Sequence, residues 1–250
     1  MEDFIKMPLK LKANGANNIG FKLKNINNSG RFRSYTPSAL VTNGLTLHLD
    51  PNNIDSYSGT GATWFDISGN DADITLVNTP TYTPDTPSYF TFNGTDEYGT
   101  GSKTNVLPTT AYTKMFWFYL NAYADNNFVS SGTGGHFIYM GSATNRIYSG
   151  HANWGNYQAY PSTAAISLST WYNVALTFST TNGMTLYING TQDSTYTANK
   201  TAHAGNGSTN IATFAGGNLL NGRIGEVLCY NVELTSNQIL QNYNSTKNKY

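Results

Sequence analysis

Between Trp171 and Gly190 the chain carries two segments of strand character, Trp171–Phe178 and Met184–Asn189, joined by a loop containing Asn182-Gly183 and followed by Asn189-Gly190. Asn-Gly reaches the positive φ of a tight reversal at little steric cost, so this stretch predicts an antiparallel hairpin. The same grammar recurs along most of the chain. Leu45–Asp50 alternates apolar with polar, and Tyr89–Phe92 runs into Asn93-Gly94. Lys114–Leu120 is apolar on both faces, as a strand inside a sandwich is. Turn signals about every 8–12 residues predict an antiparallel sandwich or barrel.

Composition agrees with that reading. Of 250 residues 39% are hydrophobic, which allows a real core, and only 11% are charged. Asn, Thr, Ser, Gly and Tyr fill the difference; they favour pleated strands and turns over helices. The single cysteine, Cys229, excludes an internal disulfide and reads as a small core residue. No stretch approaches the run of about 20 apolar residues that a membrane helix needs. The start, Met1–Pro8, lacks the apolar segment of a signal peptide, so export by the general secretory route is not expected.

Charge divides the chain unevenly. Residues 1–33 hold seven basic residues, Lys6, Lys10, Lys12, Lys22, Lys24, Arg31 and Arg33, against Glu2 and Asp3, a net of +5. The remainder holds seven basic and twelve acidic residues, a net of −5. Within residues 1–39, Leu9–Lys12 and Phe21–Lys24 alternate apolar with basic beside Asn14-Gly15 and Ser29-Gly30, which predicts two short strands. Such an arm cannot form a core alone. Lys10, Lys12, Lys22, Lys24, Arg31 and Arg33 are the candidate partner-docking residues, the alternative being a solvated leader. Ser34–Ser38 reads as a linker, and residues 40–250 as one domain. At its end, Thr235 and Gln238 form a capping-box pattern for a helix from Ser236 to about Asn244, with Ile239, Leu240 and Tyr243 as its apolar face.

Four segments read together carry a resemblance. Gly44–Asp50 is followed by Ser56-Tyr57 and by Trp64-Phe65-Asp66-Ile67-Ser68-Gly69-Asn70. Tyr89–Gly94 comes next, then Trp171–Phe178 leading to Leu186–Gly190, and last Gly222–Val227 with Tyr230-Asn231 and Leu234. In order and spacing these resemble the laminin-G-like jelly rolls of the concanavalin A-like lectin/glucanase superfamily, over about residues 40–245. The resemblance implies two antiparallel sheets, the concave one often presenting a ligand surface. The opening pattern, with Ile67 where Leu is usual, is similar to the version found in structural proteins of tailed bacteriophages. The expected fold is therefore an all-β jelly-roll sandwich with a short C-terminal helix and an N-terminal strand-forming arm.

Catalysis finds little footing. The superfamily's glucanases carry Glu-x-Asp-x-x-Glu along one strand, placing two carboxylates at a retaining distance of about 5 Å. That run is missing; Glu226 is expected to bond a neighbouring loop, and His48, His136, His151 and His203 show no metal-ligand spacing. Asp66, Asn70, Asp71 and Asp73 offer hard oxygen atoms suited to Ca²⁺; the alternative is that Asp66 and Ser68 cap a turn beneath Trp64. Tyr148, Trp154, Tyr157 and Tyr160 gather rings and neighbouring amides suited to sugars, against ordinary sheet packing as the alternative. The arm lacks interleaved aromatics, so nucleic acid is not an expected partner. The expectation is a non-enzymatic protein of the virion exterior, a capsid decoration or tail-fibre component. It would be made in the host cytoplasm, docked through residues 1–39 on major capsid or tail proteins, able to self-associate and to touch host-surface glycans. A carbohydrate-binding module of a secreted or cell-surface protein, or a glycan hydrolase, are the rival readings.

Overall fold

The computed structural model describes residues 24–26, 32–34, 39–131, 135–153, 156–198, 207–214 and 216–250, with the side chains of 24–26, 32–34, 152, 153, 156 and 157 left aside. The chain divides into two units, Met1–Pro37 and Ser38–Tyr250. In the first, β1 (Lys24–Ile26) and β2 (Phe32–Ser34) pair antiparallel, with Lys24 opposite Ser34 and Asn25 opposite Arg33. The expected strand Leu9–Lys12 lies outside the described residues, as do Lys10, Lys12, Lys22 and Arg31.

The second unit is a sandwich. Its first strands are β3 (Leu45–Leu49), β4 (Thr63–Trp64), β5 (Ile74–Val77), β6 (Thr81–Thr83), β7 (Tyr89–Asn93) and β8 (Tyr98–Gly101). The middle of the chain gives β9 (Ala111–Leu120), β10 (Asn126–Asn127), β11 (Val129–Ser131), β12 (His136–Met140), β13 (Ile147–Asn153) and β14 (Asn156–Pro161). Then come β15 (Trp171–Ser179), β16 (Gly183–Ile188), β17 (Thr191–Tyr196), β18 (Thr209–Ile211), β19 (Asn221–Tyr230) and the helix α1 (Ser236–Thr246).

One sheet has eight strands in the order β17-β16-β15-β9-β19-β7-β6, with β3 also paired to β19. A register shift between Ile224 and Val227 divides β19: its first half pairs β7 and its second half pairs β3. Two smaller sheets, β11-β18-β8-β5-β4 and β10-β12-β13-β14, supply the facing strands. Phe116, Phe118, Val174, Leu176, Ile224 and Val227 of the large sheet share one core with Ile74, Val129, Ile138, Met140 and Ile211 of the smaller ones. The expected hairpin forms with Ser179 opposite Gly183. Gly183 has φ +83°, and a Cβ there would lie 2.4 Å from the Tyr196 carbonyl oxygen, so the turn needs glycine.

The two-sided apolarity of β9 has a specific cause. Its core face meets the smaller sheets, while Met115 on the other face joins Ala175, Tyr187, Leu228 and Tyr230 beneath Leu234 and Ile239 at the start of α1. The capping box forms as expected. The apolar face differs from expectation: Leu240 is 44% exposed, whereas Asn242 and Thr246 are buried beside Ile239. Positions 239, 242 and 246 share a helix face; position 240 points about 100° away from 239. Asn242 is satisfied there, accepting from Val41 N at 2.9 Å and donating to Tyr230 Oη at 2.8 Å.

Candidate binding face on the large sheet

The outer face of the large sheet, beside the patch covered by α1, gathers groups that are far apart in sequence. His48 on β3 donates from Nε2 to Glu226 Oε1 on β19 at 2.8 Å, and Lys249 Nζ donates to Glu226 Oε2 at 2.7 Å and to Asp50 Oδ2 at 2.8 Å. Asp50 Oδ1 also accepts from Asn52 N and Nδ2. Glu226 has a side chain 1% exposed, and a carboxylate removed from water in this way needs compensating charge. Burial pushes the Asp50 carboxyl upward, but the Lys249 ammonium and the bonds from Lys249 and Asn52 outweigh it and leave the group below its ordinary value. Burial acts downward on Lys249, and Glu226 with Asp50 reverse this, holding its ammonium above the usual range. One ligand atom from each of His48, Asp50 and Glu226 falls within 4.8 Å of the others, a set of metal-ligating type. Lys249 already places a cation between the two carboxylates.

Next to this network runs a band of rings. The Arg223 guanidinium lies 4.7 Å from the Tyr89 ring centroid and 4.3 Å from that of Tyr119, clamped between β7 and β9. Register explains the clamp: Arg223 lies opposite Thr91 on one side and Tyr119 on the other, and Tyr119 lies opposite Trp171 on β15. Trp171 packs 5.6 Å from Tyr89, 5.7 Å from Tyr119 and 4.9 Å from Tyr250. Tyr250 stacks on Trp117 at 4.7 Å, and its hydroxyl accepts from Glu226 N at 2.7 Å, which joins the rings to the charge network. Gly225 makes room for this, since a Cβ there would lie 2.4 Å from the Tyr250 ring. Tyr89, Tyr119, Trp171, Arg223 and Tyr250 are all half-buried.

The candidate calcium loop is held together by its own bonds. Asp66 Oδ1 accepts from His48 N and Ser68 N, and Oδ2 accepts from Ser68 Oγ and Ala72 N, which uses the four acceptor sites of a carboxylate. Asp73 Oδ1 accepts from Asp66 N, and Asn70 donates to Leu45 O and Ser68 Oγ. Asp71 is exposed at φ 53°. The geometry is that of a stapled turn.

The two candidate sugar residues whose side chains are described, Tyr148 and Tyr160, do not share a surface. Tyr148 stacks on Tyr139 at 5.3 Å and shares its face of β12 and β13. Tyr160 lies opposite Ser149, one residue along, and therefore on the other face, where it stacks on Tyr196 at 4.5 Å. The side chains of Trp154 and Tyr157 lie outside the description. Lys24 and Arg33 sit on the arm hairpin, and their side chains likewise lie outside it.

Three of the scattered histidines lie at described positions in the sandwich, and His136 has both ring nitrogens buried without a hydrogen-bond partner. His48 meets Glu226, and His136 lies opposite His151 across β12 and β13. Tyr112 Oη and His151 Nε2 are 2.9 Å apart. Lys114, fully buried on the same face of β9 as Tyr112, donates to Val129 O at 2.9 Å. Burial lowers the Lys114 ammonium to about 7, opposed in part by Cys229 opposite it on β19. Burial, with Lys114 and His151 adding to it, keeps His136 well below its ordinary value.

Comparison with known proteins places this architecture. Residues 92–240 match the family profile described as the concanavalin A-like lectin/glucanases superfamily. Among solved structures, the chain is similar to the binding domain of botulinum neurotoxin DC in complex with rat synaptotagmin II, with a TM-score of 0.64 at 16% identity over 81% of this chain and 51% of that one. It is equally similar, by TM-score 0.64 and 16% identity over 81% and 51%, to a structure described under cell entry of botulinum neurotoxin type C dependent upon interaction with two ganglioside molecules. A third, the binding domain of botulinum neurotoxin DC in complex with SialylT, gives 0.64 at 17% over 82% and 52%. The chain thus spans about half the length of these structures, and at such identity the likeness is one of fold. A comparison with curated proteins finds no match.

Proposed function

The chain belongs to the concanavalin A-like lectin/glucanase superfamily, and on that premise we propose that it is a non-enzymatic binding and display protein of a bacteriophage virion, a capsid decoration or tail-fibre component docked through residues 1–39. The observation that carries the non-catalytic part is the state of Glu226. A hydrolase of this superfamily needs one carboxyl free to give a proton and a second free to attack or to activate water. Glu226 is instead bound at both oxygens, to His48 and Lys249, and Asp50 shares the same ammonium. Glu97, raised by burial and by Asp96, accepts from Asn93 N in the turn it closes.

Support for a binding role comes from the neighbouring structures, described as binding domains in complex with synaptotagmin or concerned with gangliosides. The virion part rests on sequence: the opening pattern from Leu49-Asp50 through Trp64–Asn70, the low charge of the jelly roll, and the basic arm. Incubation of the full chain with a panel of polysaccharides should release no reducing ends. Mass spectrometry of particles purified from cells carrying the gene should find the chain as a component. Sugar release lost on Glu226→Gln would overturn the first part, and absence from particles the second.

A further inference from the structure

We propose that the Arg223 clamp on the outer face of the large sheet is a binding site for a saccharide bearing a carboxylate. Arg223 carries an obligate positive charge. Among the described residues its guanidinium meets no carboxylate and makes no hydrogen bond; Nε is buried without a partner. The rings of Tyr89 and Tyr119 hold the cation at 4.7 and 4.3 Å, which fixes its orientation and leaves its fork of donors unused by the protein. A planar fork of this kind matches a carboxylate with two parallel bonds.

The surroundings choose among anions. Trp171 extends the band of rings beside Tyr89 and Tyr119, the kind of surface on which a sugar ring stacks. Asn221, two residues before Arg223 on the same strand face, and Asn121, whose Nδ2 donates to Asn221 Oδ1 at 3.2 Å, place amides at one end for hydroxyls. Thr91 lies directly opposite Arg223. Residues 34–250 carry a net −5, so the domain as a whole repels a polyanion while one oriented cation accepts a single acidic group. Stacking rings, amides and one fork suit an acidic sugar better than a phosphorylated or nucleic-acid ligand.

This site deepens the binding reading and rests on it. The test uses the full chain and two probes: a tetrasaccharide alternating glucuronic acid with N-acetylglucosamine, and the same tetrasaccharide with its carboxylates reduced to alcohols. Calorimetric or NMR titration should show millimolar or tighter binding of the acidic probe. Reduction of the probe should weaken binding by about tenfold or more, as loss of a charged hydrogen-bonded pair does. Arg223→Gln and Trp171→Ala should each do the same with the thermal melt retained, and Arg223→Lys should fall between. If Arg223→Gln does not fold, Arg223→Lys and the reduced probe decide. Equal affinity for the two probes, no binding of either, or a preference for inorganic phosphate or an acidic peptide overturns the proposal. Acidic-probe binding that ignores Arg223→Gln removes this site but leaves a binding module; polysaccharide cleavage lost on Glu226→Gln would instead overturn the reading on which the site rests.

Discussion

Lys114 lies on the core face of β9 with no exposed surface, and burial brings its ammonium from 10.5 to about 7. A basic group depressed in this way is neutral in the fold where the unfolded chain is still protonated. The unfolded state then binds the extra proton, so stability rises with pH between about 7 and the unfolded value, and the full penalty applies below 7. Between pH 7 and about 8, below the free values of thiols and phenols, the slope should be on the order of 1 kcal/mol per pH unit. Lys114→Met keeps the aliphatic stem and should flatten that slope in denaturant titrations; an unchanged slope would assign it elsewhere. Lys249 behaves oppositely. Its ammonium holds the Asp50 carboxyl low, so this contribution is present above the unfolded carboxyl value of 3.8 and fades as pH falls through the lower folded value. Lys249→Met should cost about 2 kcal/mol at pH 7 and little once the carboxylates are protonated, as urea melts at the two pH values can show.

Among elements, the strands whose two faces do different jobs were legible: β7, β15, β16 and β19 follow their apolar periodicity and glycine turns. β9 was legible as a doubly buried strand and α1 as a helix, but not that α1 covers the outer face of β9. The strands β10 to β14 were harder to read because Asn126-Asn127, Ser130-Ser131 and Ser149 are buried polar positions that blur the period. The α1 cap could be read from Thr235 and Gln238, while its buried face turned on Asn242 and Thr246, which composition alone marks as polar. Thr235→Ala should lower stability by about 1 kcal/mol through loss of the bond to Gln238 N, leaving the β-sheet signal in circular dichroism unchanged. Of the candidate face, almost nothing was legible. His48 and Glu226 stand 178 residues apart, and Arg223 acquires its clamp only because β7 and β9 flank β19. Sequence periodicity places a residue on a face; it does not say which strand becomes its neighbour.

At the scale of the whole molecule, a jelly roll whose Asp50, Asp66 and Glu226 are engaged in structure accompanies a basic arm that forms a unit of its own. The charge divides as +5 over residues 1–33 and −5 over the rest. In the proposed role the arm would dock and the sandwich would serve as the binding surface. Among the described residues no helix is long and apolar enough to cross a membrane, which is compatible with this arrangement without requiring it. The most direct measurement is quantitative mass spectrometry of particles assembled with the full chain or with residues 1–35 deleted. The expected result is the full chain in purified particles at a fixed copy number, and its loss from them on deletion of the arm while the jelly roll still folds. A full chain absent from particles, or a truncated chain incorporated equally, would contradict it.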